Sequence, residues 1–342
     1  MTPTSLIGID ISKNSFELWG TDERGRHTLH KRLRREQVCP FFVNFPPTTL
    51  AMEACASSQH WARQLRDLGH QVKIIPAQHV VAFRQGAKND RNDARAIAEA
   101  ASRPNMRTVP IKTLAQQDLQ AMHCLRERLV GNRTALISEF RGLLMEYGIV
   151  CAKGATKFRA WLAENLLTAT EGLSAAAQET FLALRDELRE IDQRIASVEK
   201  RIEAAFRASE VCQRLATVPG VGPLTATALE AAVADPQRLR NGRHFAAYLG
   251  LVPRQHSTGG KPKLQGISKT GNCYLRKLLI HGARSVIFHA AGKEDYRSRW
   301  VKELVERRGW HKATVALANK NARVLWKLLT SPGEKFVAQV CG

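Results

Sequence analysis

Four carboxylates, Asp10, Glu53, Asp90 and Asp93, are the side chains whose types and spacing suit metal-assisted phosphate chemistry. Asp10 lies in the apolar run Leu6-Ile7-Gly8-Ile9-Asp10-Ile11, and Glu53 closes a second run, Thr48-Thr49-Leu50-Ala51-Met52-Glu53. Both runs read as buried strands. Asp90 and Asp93 stand three residues apart where a helix begins, close to one turn, so their carboxylates face the same way. Two carboxylates about 4 Å apart repel by roughly 4 kcal/mol at an effective dielectric near 20. Four in one cleft would hold protons or unfold the site unless divalent cations such as Mg²⁺, or in its place Mn²⁺, bridged them. The plainer alternative makes each acid a solvated cap or turn residue, a role that Asp90 and Asp93 suit well at a helix N-terminus.

The elements that must position these acids are legible as a pattern. Ser5 to Ile11, Ser15 to Gly20 and His27 to Leu33, with the polar turn Asp22-Glu23-Arg24-Gly25-Arg26, read as an antiparallel meander. Helical patterns flank the strand ending at Glu53 and another at Val72 to Pro76. An α/β layout with an antiparallel start fits a ribonuclease-H-like sheet.

Charge indicates the partner. The chain carries a net charge of +21 over 342 residues, an excess that points to a polyanion, with nucleic acid first and a basic membrane-binding surface second. Residues 236–342 hold 21 Lys and Arg against 5 Asp and Glu, whereas residues 1–235 hold 31 against 26. The acids and the basic surface thus occupy different parts of the chain. No stretch approaches the roughly 18 apolar residues of a membrane span, and the N-terminus lacks a basic-then-apolar signal. A soluble, cytoplasmic protein without a membrane partner is expected. Cys39, Cys55, Cys124, Cys151, Cys212, Cys273 and Cys341 show no C-x-x-C pairing, which predicts reduced, structural thiols and no zinc site.

Beyond the acids, Phe181, Leu184, Leu188, Ile191, Ile195, Val198, Ile202 and Ala205 keep coiled-coil spacing. An earlier helix, Leu114 to Tyr147, offers a matching apolar face. The two pair either within one chain, as a helical hairpin, or between chains. Next, Leu215 to Ala226 reads as helix, tight turn and helix around Pro219-Gly220-Val221-Gly222. This is a helix-hairpin-helix pattern in which Gly220 and Gly222 let backbone N–H groups approach a phosphate.

A glycine-rich loop follows, Arg254-Gln255-His256-Ser257-Thr258-Gly259-Gly260-Lys261-Pro262-Lys263. It offers hydroxyls for a phosphoryl-transfer nucleophile, with Arg254, Lys261 and Lys263 to neutralise charge. A basic loop that only touches backbone phosphate is the simpler reading. Lys269, Arg276 and Lys277 extend the basic face, and Lys293, Arg297, Arg299 and Lys302 continue it. With 6% aromatic residues, grip should come from phosphate contacts rather than base stacking.

In this order the parts resemble the DEDD-type insertion-sequence transposases, the one-ten family with its one-one-one-one subgroup, which includes the Piv-type DNA invertases. The resemblance covers nearly the whole chain. Its carriers are Gly8-Ile9-Asp10, Met52-Glu53-Ala54, Asn89-Asp90-Arg91-Asn92-Asp93-Ala94-Arg95, Pro219-Gly220-Val221-Gly222 and the Ser257 loop ending in Gly266-Ile267-Ser268-Lys269.

It implies three parts: a RuvC-like domain over residues 1–110 with a metal on Asp10, Glu53, Asp90 and Asp93, a helical coiled-coil region over 111–208, and a mainly helical transposase domain over 209–342. It also implies a catalytic serine, double-stranded donor and target DNA, and a structured noncoding bridge RNA. A homodimer or homotetramer, associated with the bacterial nucleoid when active, is implied as well. The family's serine commonly precedes glycine directly, whereas Ser257 is followed by Thr258 and only then by Gly259. Spacing from Ile267-Ser268-Lys269 favours Ser257, and adjacency to glycine favours Thr258. A metal-dependent junction resolvase using water, or a non-catalytic nucleic-acid scaffold, would share much of this pattern.

Overall fold

Five short strands, β1 (Leu6–Ile11), β2 (Ser15–Thr21), β3 (His27–Arg34), β4 (Thr49–Glu53) and β5 (Gln71–Ile75), form one sheet in the order β3-β2-β1-β4-β5. The first three pair antiparallel, and β4 and β5 extend the sheet parallel to β1. This is the mixed layout with an antiparallel start that the strand runs predict. The computed structural model describes residues 3–87 and 89–337. The sheet belongs to the first of two units, residues 1–113 and 114–342.

Alternation of side chains sorts the strands onto two faces. Ile7, Ile9, Leu50, Met52 and Ile74 pack with Phe42 of α1 (Val38–Val43) and with Trp61 and Leu65 of α2 (Ser58–Asp67). Leu6, Ala51 and Ile75 pack on the other face with Val80 of the short α3 (Ala77–Val80) and with Ala96, Ile97, Ala100 and Ala101 of α4 (Asp90–Ala101). Gly8 lies on that second face. A Cβ there would stand 2.3 Å from the Ala94 carbonyl oxygen and 2.6 Å from the Ala98 nitrogen. Only glycine lets α4 lie this close to β1.

The second unit opens with α5 (Leu114–Glu146), α6 (Ala155–Thr170) and α7 (Ala175–Ala208). The expected seam residues Phe181, Leu188, Ile191, Ile195, Val198 and Ile202 are buried with Leu129, Leu136 and Phe140 of α5. Arg126 pairs with Glu199, Arg133 with Asp192, and Phe140 stacks on Phe181, so the two helices run antiparallel within one chain. Of the two pairings left open by the periodicity, the intramolecular one is observed. Helix α6 adds Phe158, Leu162 and Leu166 to the same core, a third helix that heptad spacing does not announce.

The chain continues through α8 (Glu210–Leu215), α9 (Pro223–Ala232), α10 (Gly242–Tyr248), a hairpin of β6 (Pro253–Gln255) and β7 (Leu264–Ile267), α11 (Cys273–Phe288), α12 (Tyr296–Arg308) and α13 (Trp310–Thr330). Leu215, Leu229, Phe245, Leu279, Leu317 and Leu325 share its core. Buried His123 of α5 ties these helices together. Thr227 Oγ1 donates to the Pro223 carbonyl at 2.7 Å, so it accepts from His123 Nε2–H at 3.0 Å, and Tyr274 O–H donates to His123 Nδ1 at 3.0 Å. Burial first, and then the charge of Arg126, push the His123 pKa down to about 4, holding the ring neutral.

Cys39, Cys55, Cys124, Cys151, Cys212 and Cys273 are free thiols, as the spacing predicts, and Cys341 lies outside the described residues. Among the described residues no helix is long and apolar enough to cross a membrane.

Candidate active site and nucleic-acid interface

Strand register brings the first two acids together. Ile9 pairs with Met52 in the parallel β1–β4 ladder, so Asp10 and Glu53 follow at neighbouring strand ends. Asp10 shares a face with Gly8 and Glu53 shares one with Ala51, which is the face covered by α4. The contact of Gly8 with the backbone of Ala94 and Ala98 sets Asp10 beside the first turn of α4, where Asp90 and Asp93 stand. Neither acid is needed as the cap, because Asn89 fills that role: its Oδ1 accepts the Asn92 N–H at 2.8 Å. Their carboxylates remain favourably placed at a helix N-terminus without being consumed there.

Electrostatics report the convergence. The Asp10 pKa is raised to about 6, by burial first and then by the charges of Asp93, Asp90, Glu53 and Glu17. All four acids singled out in the sequence therefore act on one locus. Their countercharges are weak: Arg84 Nη1 lies 3.6 Å from Asp93 Oδ1, and Arg32 Nη2 lies 3.9 Å from the exposed Asp90 Oδ2. Among the described residues no group of three or more His, Cys, Asp or Glu side chains stands close enough together to hold a metal ion. The four carboxylates offer only oxygen donors, the type a hard divalent cation takes, and the negative charge that adds to burial in lifting Asp10 is what such an ion would neutralise.

The sequence pattern missed Glu17. It is the cross-strand partner of Asp10, is 8% exposed, and places Oε1 2.5 Å from His30 Nε2. The turn around Lys13 and Asn14 carries the signal that would have found it, because pairing Ile11 with Phe16 sets Asp10 opposite Glu17.

The glycine-rich loop is more ordered than its composition suggests. β6 and β7 pair antiparallel through Pro253–Ile267 and Gln255–Leu264, and His256 N–H donates to the Lys263 carbonyl at 2.9 Å. Thr258 bridges to Lys261 across Gly259 and Gly260, whose φ values of 55° and 74° belong to a two-residue hairpin turn that needs glycine. Ser257 is therefore part of an exposed hairpin. Its Oγ accepts from Gln255 Nε2 at 2.9 Å and from the Lys263 N–H at 3.2 Å. Arg254, Lys261, Lys263 and Lys269 are exposed on or beside this hairpin.

Other residues expected to hold nucleic acid have partners inside the unit. Arg276 Nη1 donates to the carbonyls of Leu249 at 3.0 Å and Thr270 at 2.8 Å, fastening the base of the hairpin. Lys277 pairs with Glu127 and lies 5.3 Å over the Tyr274 ring. Gly220, at φ 85°, packs on Gly282 of α11, where a Cβ would stand 2.7 Å from the Gly282 carbonyl oxygen. Gly222 caps α9 ahead of Pro223, with no atom within 4 Å of where its Cβ would stand. Arg297 departs from the expected basic face. It is 8% exposed, donates to Asn321 Oδ1 at 2.8 Å and sits 4.4 Å from the Phe336 ring centroid, because α12 turns it into the core against α13.

Comparison with known proteins bears on both halves of the chain. The profile of the DEDD transposases of the IS110 group matches residues 7–149, and that of the Transposase IS116/IS110/IS902 family matches residues 212–299. A "Probable family 20 transposase" of Pseudomonas aeruginosa is 48% identical over 95% of this chain and 97% of its own length. The "Transposase for insertion sequence element IS1111A" of Coxiella burnetii is 46% identical over 96% of this chain and 91% of its own. A "Pilin gene-inverting protein" of Moraxella bovis is 33% identical over 34% of each chain.

Proposed function

Because this chain belongs to the IS110 family of transposases, we propose that it cuts and rejoins DNA with a metal-binding set of acids, Asp10, Glu53, Asp90 and Asp93, and a serine nucleophile, Ser257. The carrying observation is geometric: the β1–β4 register sets Asp10 and Glu53 at neighbouring strand ends, and the contact of Gly8 with α4 brings the turn of Asp90 and Asp93 against them, with the Asp10 pKa raised to about 6 by burial and then by the neighbouring acids. In this reading the first unit is a RuvC-like domain, and the acids bind one or more divalent cations, Mg²⁺ or Mn²⁺. Such a cation, held by those carboxylates, would supply the positive charge that stabilises phosphoryl transfer.

The chain's own residues do the rest. Gly8 and Asn89 set the first turn of α4 against the ends of β1 and β4, which holds the acids in one place. Ser257 Oγ attacks phosphorus, forming an Oγ–P bond as the P–O bond to the departing strand end breaks. The proton lost from Oγ is balanced by the proton gained by that strand end. The phosphoserine ester conserves the bond energy, so rejoining to a partner strand needs no ATP. Arg254, Lys261 and Lys263 neutralise the phosphate, Lys269, Lys277 and Gly222 hold flanking backbone, and Gly220 and Arg276 brace that surface through their contacts with Gly282, Leu249 and Thr270. A structured RNA guide, a dimeric or tetrameric assembly and action in the bacterial cytoplasm complete the reading.

The test pairs binding with cleavage. Calorimetry with Mn²⁺ should give a saturable signal in the wild type that Asp10→Asn weakens at least about tenfold, corresponding to a loss of roughly 1.4 kcal/mol. The same variant should not nick plasmid carrying the element's ends. Unchanged Mn²⁺ affinity in Asp10→Asn would remove the metal half of the account.

A further inference from the structure

Ser257 is held by a neighbour that neither the motif nor the family comparison assigns. Gln255 ends β6 and Ser257 follows two residues later, near enough for their side chains to meet. Gln255 Nε2 donates to Ser257 Oγ at 2.9 Å, and the Lys263 N–H from the opposite strand donates to the same oxygen at 3.2 Å. Two donors occupy both lone pairs of the hydroxyl, which leaves its own O–H as the group directed away from them. Thr258 differs: its carbonyl closes the turn with the Lys261 N–H at 3.0 Å, and among the described residues no donor reaches its hydroxyl.

We propose that Gln255 is a positioning residue for the strand-transfer nucleophile: it fixes the Ser257 hydroxyl and stabilises the negative charge that develops on Oγ. The inference rests on the reading of Ser257 as nucleophile. When Ser257 attacks, charge builds on Oγ as its proton leaves. When a strand end later displaces the serine, Oγ is the leaving atom and carries the same charge. One donor thus assists both formation and resolution of the phosphoserine ester, and the backbone N–H of Lys263 supports it from across the hairpin. The hairpin tip holds the geometry, because Gly259 and Gly260 form the turn that sets Lys263 opposite His256, from where its N–H reaches Ser257 Oγ.

The experiment follows the covalent protein–DNA adduct on a nicked suicide substrate, in the full-length protein with Mg²⁺ and its copurifying RNA, for the wild type, Q255L, Q255E and S257A. Removing the amide donor in Q255L should slow adduct formation by about 10²-fold, the scale for losing one oxyanion donor. DNA affinity should be unchanged, and the pH–rate profile should move to higher pH. Q255E, which brings a carboxylate to Oγ in place of a donor, should be slower still at pH near 8 and recover relative to Q255L as the pH falls. A wild-type rate and pH profile in both Gln255 variants, with adduct lost in S257A, would overturn the role of Gln255 alone. A rate loss explained wholly by weaker DNA binding would also overturn it. Adduct persisting in S257A would overturn the underlying reading of Ser257.

Discussion

Asp10 carries the strongest electrostatic signature in the first unit, and its sign makes a prediction. Its pKa of about 6 lies above the ordinary value of 3.8, so the folded chain favours the protonated acid. Between those values the unfolded chain has already released its proton while the folded chain still holds one. Asp10 therefore lowers stability progressively as pH rises through this window, and the cost is fully expressed above pH 6. Asp10→Asn should melt at a higher temperature than the wild type in chelator at pH 7.5, and the difference should vanish toward pH 4. Saturating divalent cation should reverse the order, because only the carboxylate gains from binding it. Thermal denaturation at the two pH values, with and without Mn²⁺, reads all three outcomes. A wild type more stable than Asp10→Asn in chelator at pH 7.5 would count against the convergence of charge at this locus.

At the scale of elements, glycine contacts and one buried histidine set the geometry. Gly8→Ala places a methyl against the backbone of α4, so the helix must move away from β1, at a cost of about 1–3 kcal/mol for overpacking. Because that contact also sets Asp90 and Asp93 beside Asp10, the variant should lose Mn²⁺ affinity even where it remains folded, which calorimetry would detect. In the second unit, Tyr274→Phe leaves His123 Nδ1 buried without its donor and should cost about 1–3 kcal/mol in urea denaturation. Unchanged stability would mean that the His123 network does not hold α5 to α11.

Much of this level was legible in the chain. The runs carrying Asp10 and Glu53 are strands, and the heptad spacing is the α5–α7 seam, because burial periodicity is a local property of sequence. The cap Asn89, the Glu17 cross-strand pair and the Gly220–Gly282 contact were not legible. Each depends on which element lies opposite, a fact of tertiary structure that spacing along one segment does not carry.

At the scale of the whole molecule, charge separation is the organising fact. The last 107 residues carry a net +16, against +5 for the rest, which suits a chain that grips nucleic acid with one part and coordinates its chemistry with another. With about eight phosphate contacts, DNA affinity should fall by roughly 10³ to 10⁵ between 50 and 200 mM salt, and a flat response in a filter-binding titration would exclude backbone grip. Composition disclosed this surplus but not its use. Arg276, Arg297 and Lys277 count toward it in the sequence and yet are engaged inside the second unit, so net charge overstates the surface that faces nucleic acid.

The most direct measurement of the central claim is the identity of the residue joined to DNA. A suicide substrate bearing the element's ends, incubated with the protein and Mg²⁺, then digested and mapped by mass spectrometry, should yield a nucleotide adduct on Ser257 that disappears in Asp10→Asn. Cleavage that leaves only hydroxyl and phosphate ends with no protein attached, or an adduct on Thr258, would contradict the assignment of Ser257 as the nucleophile.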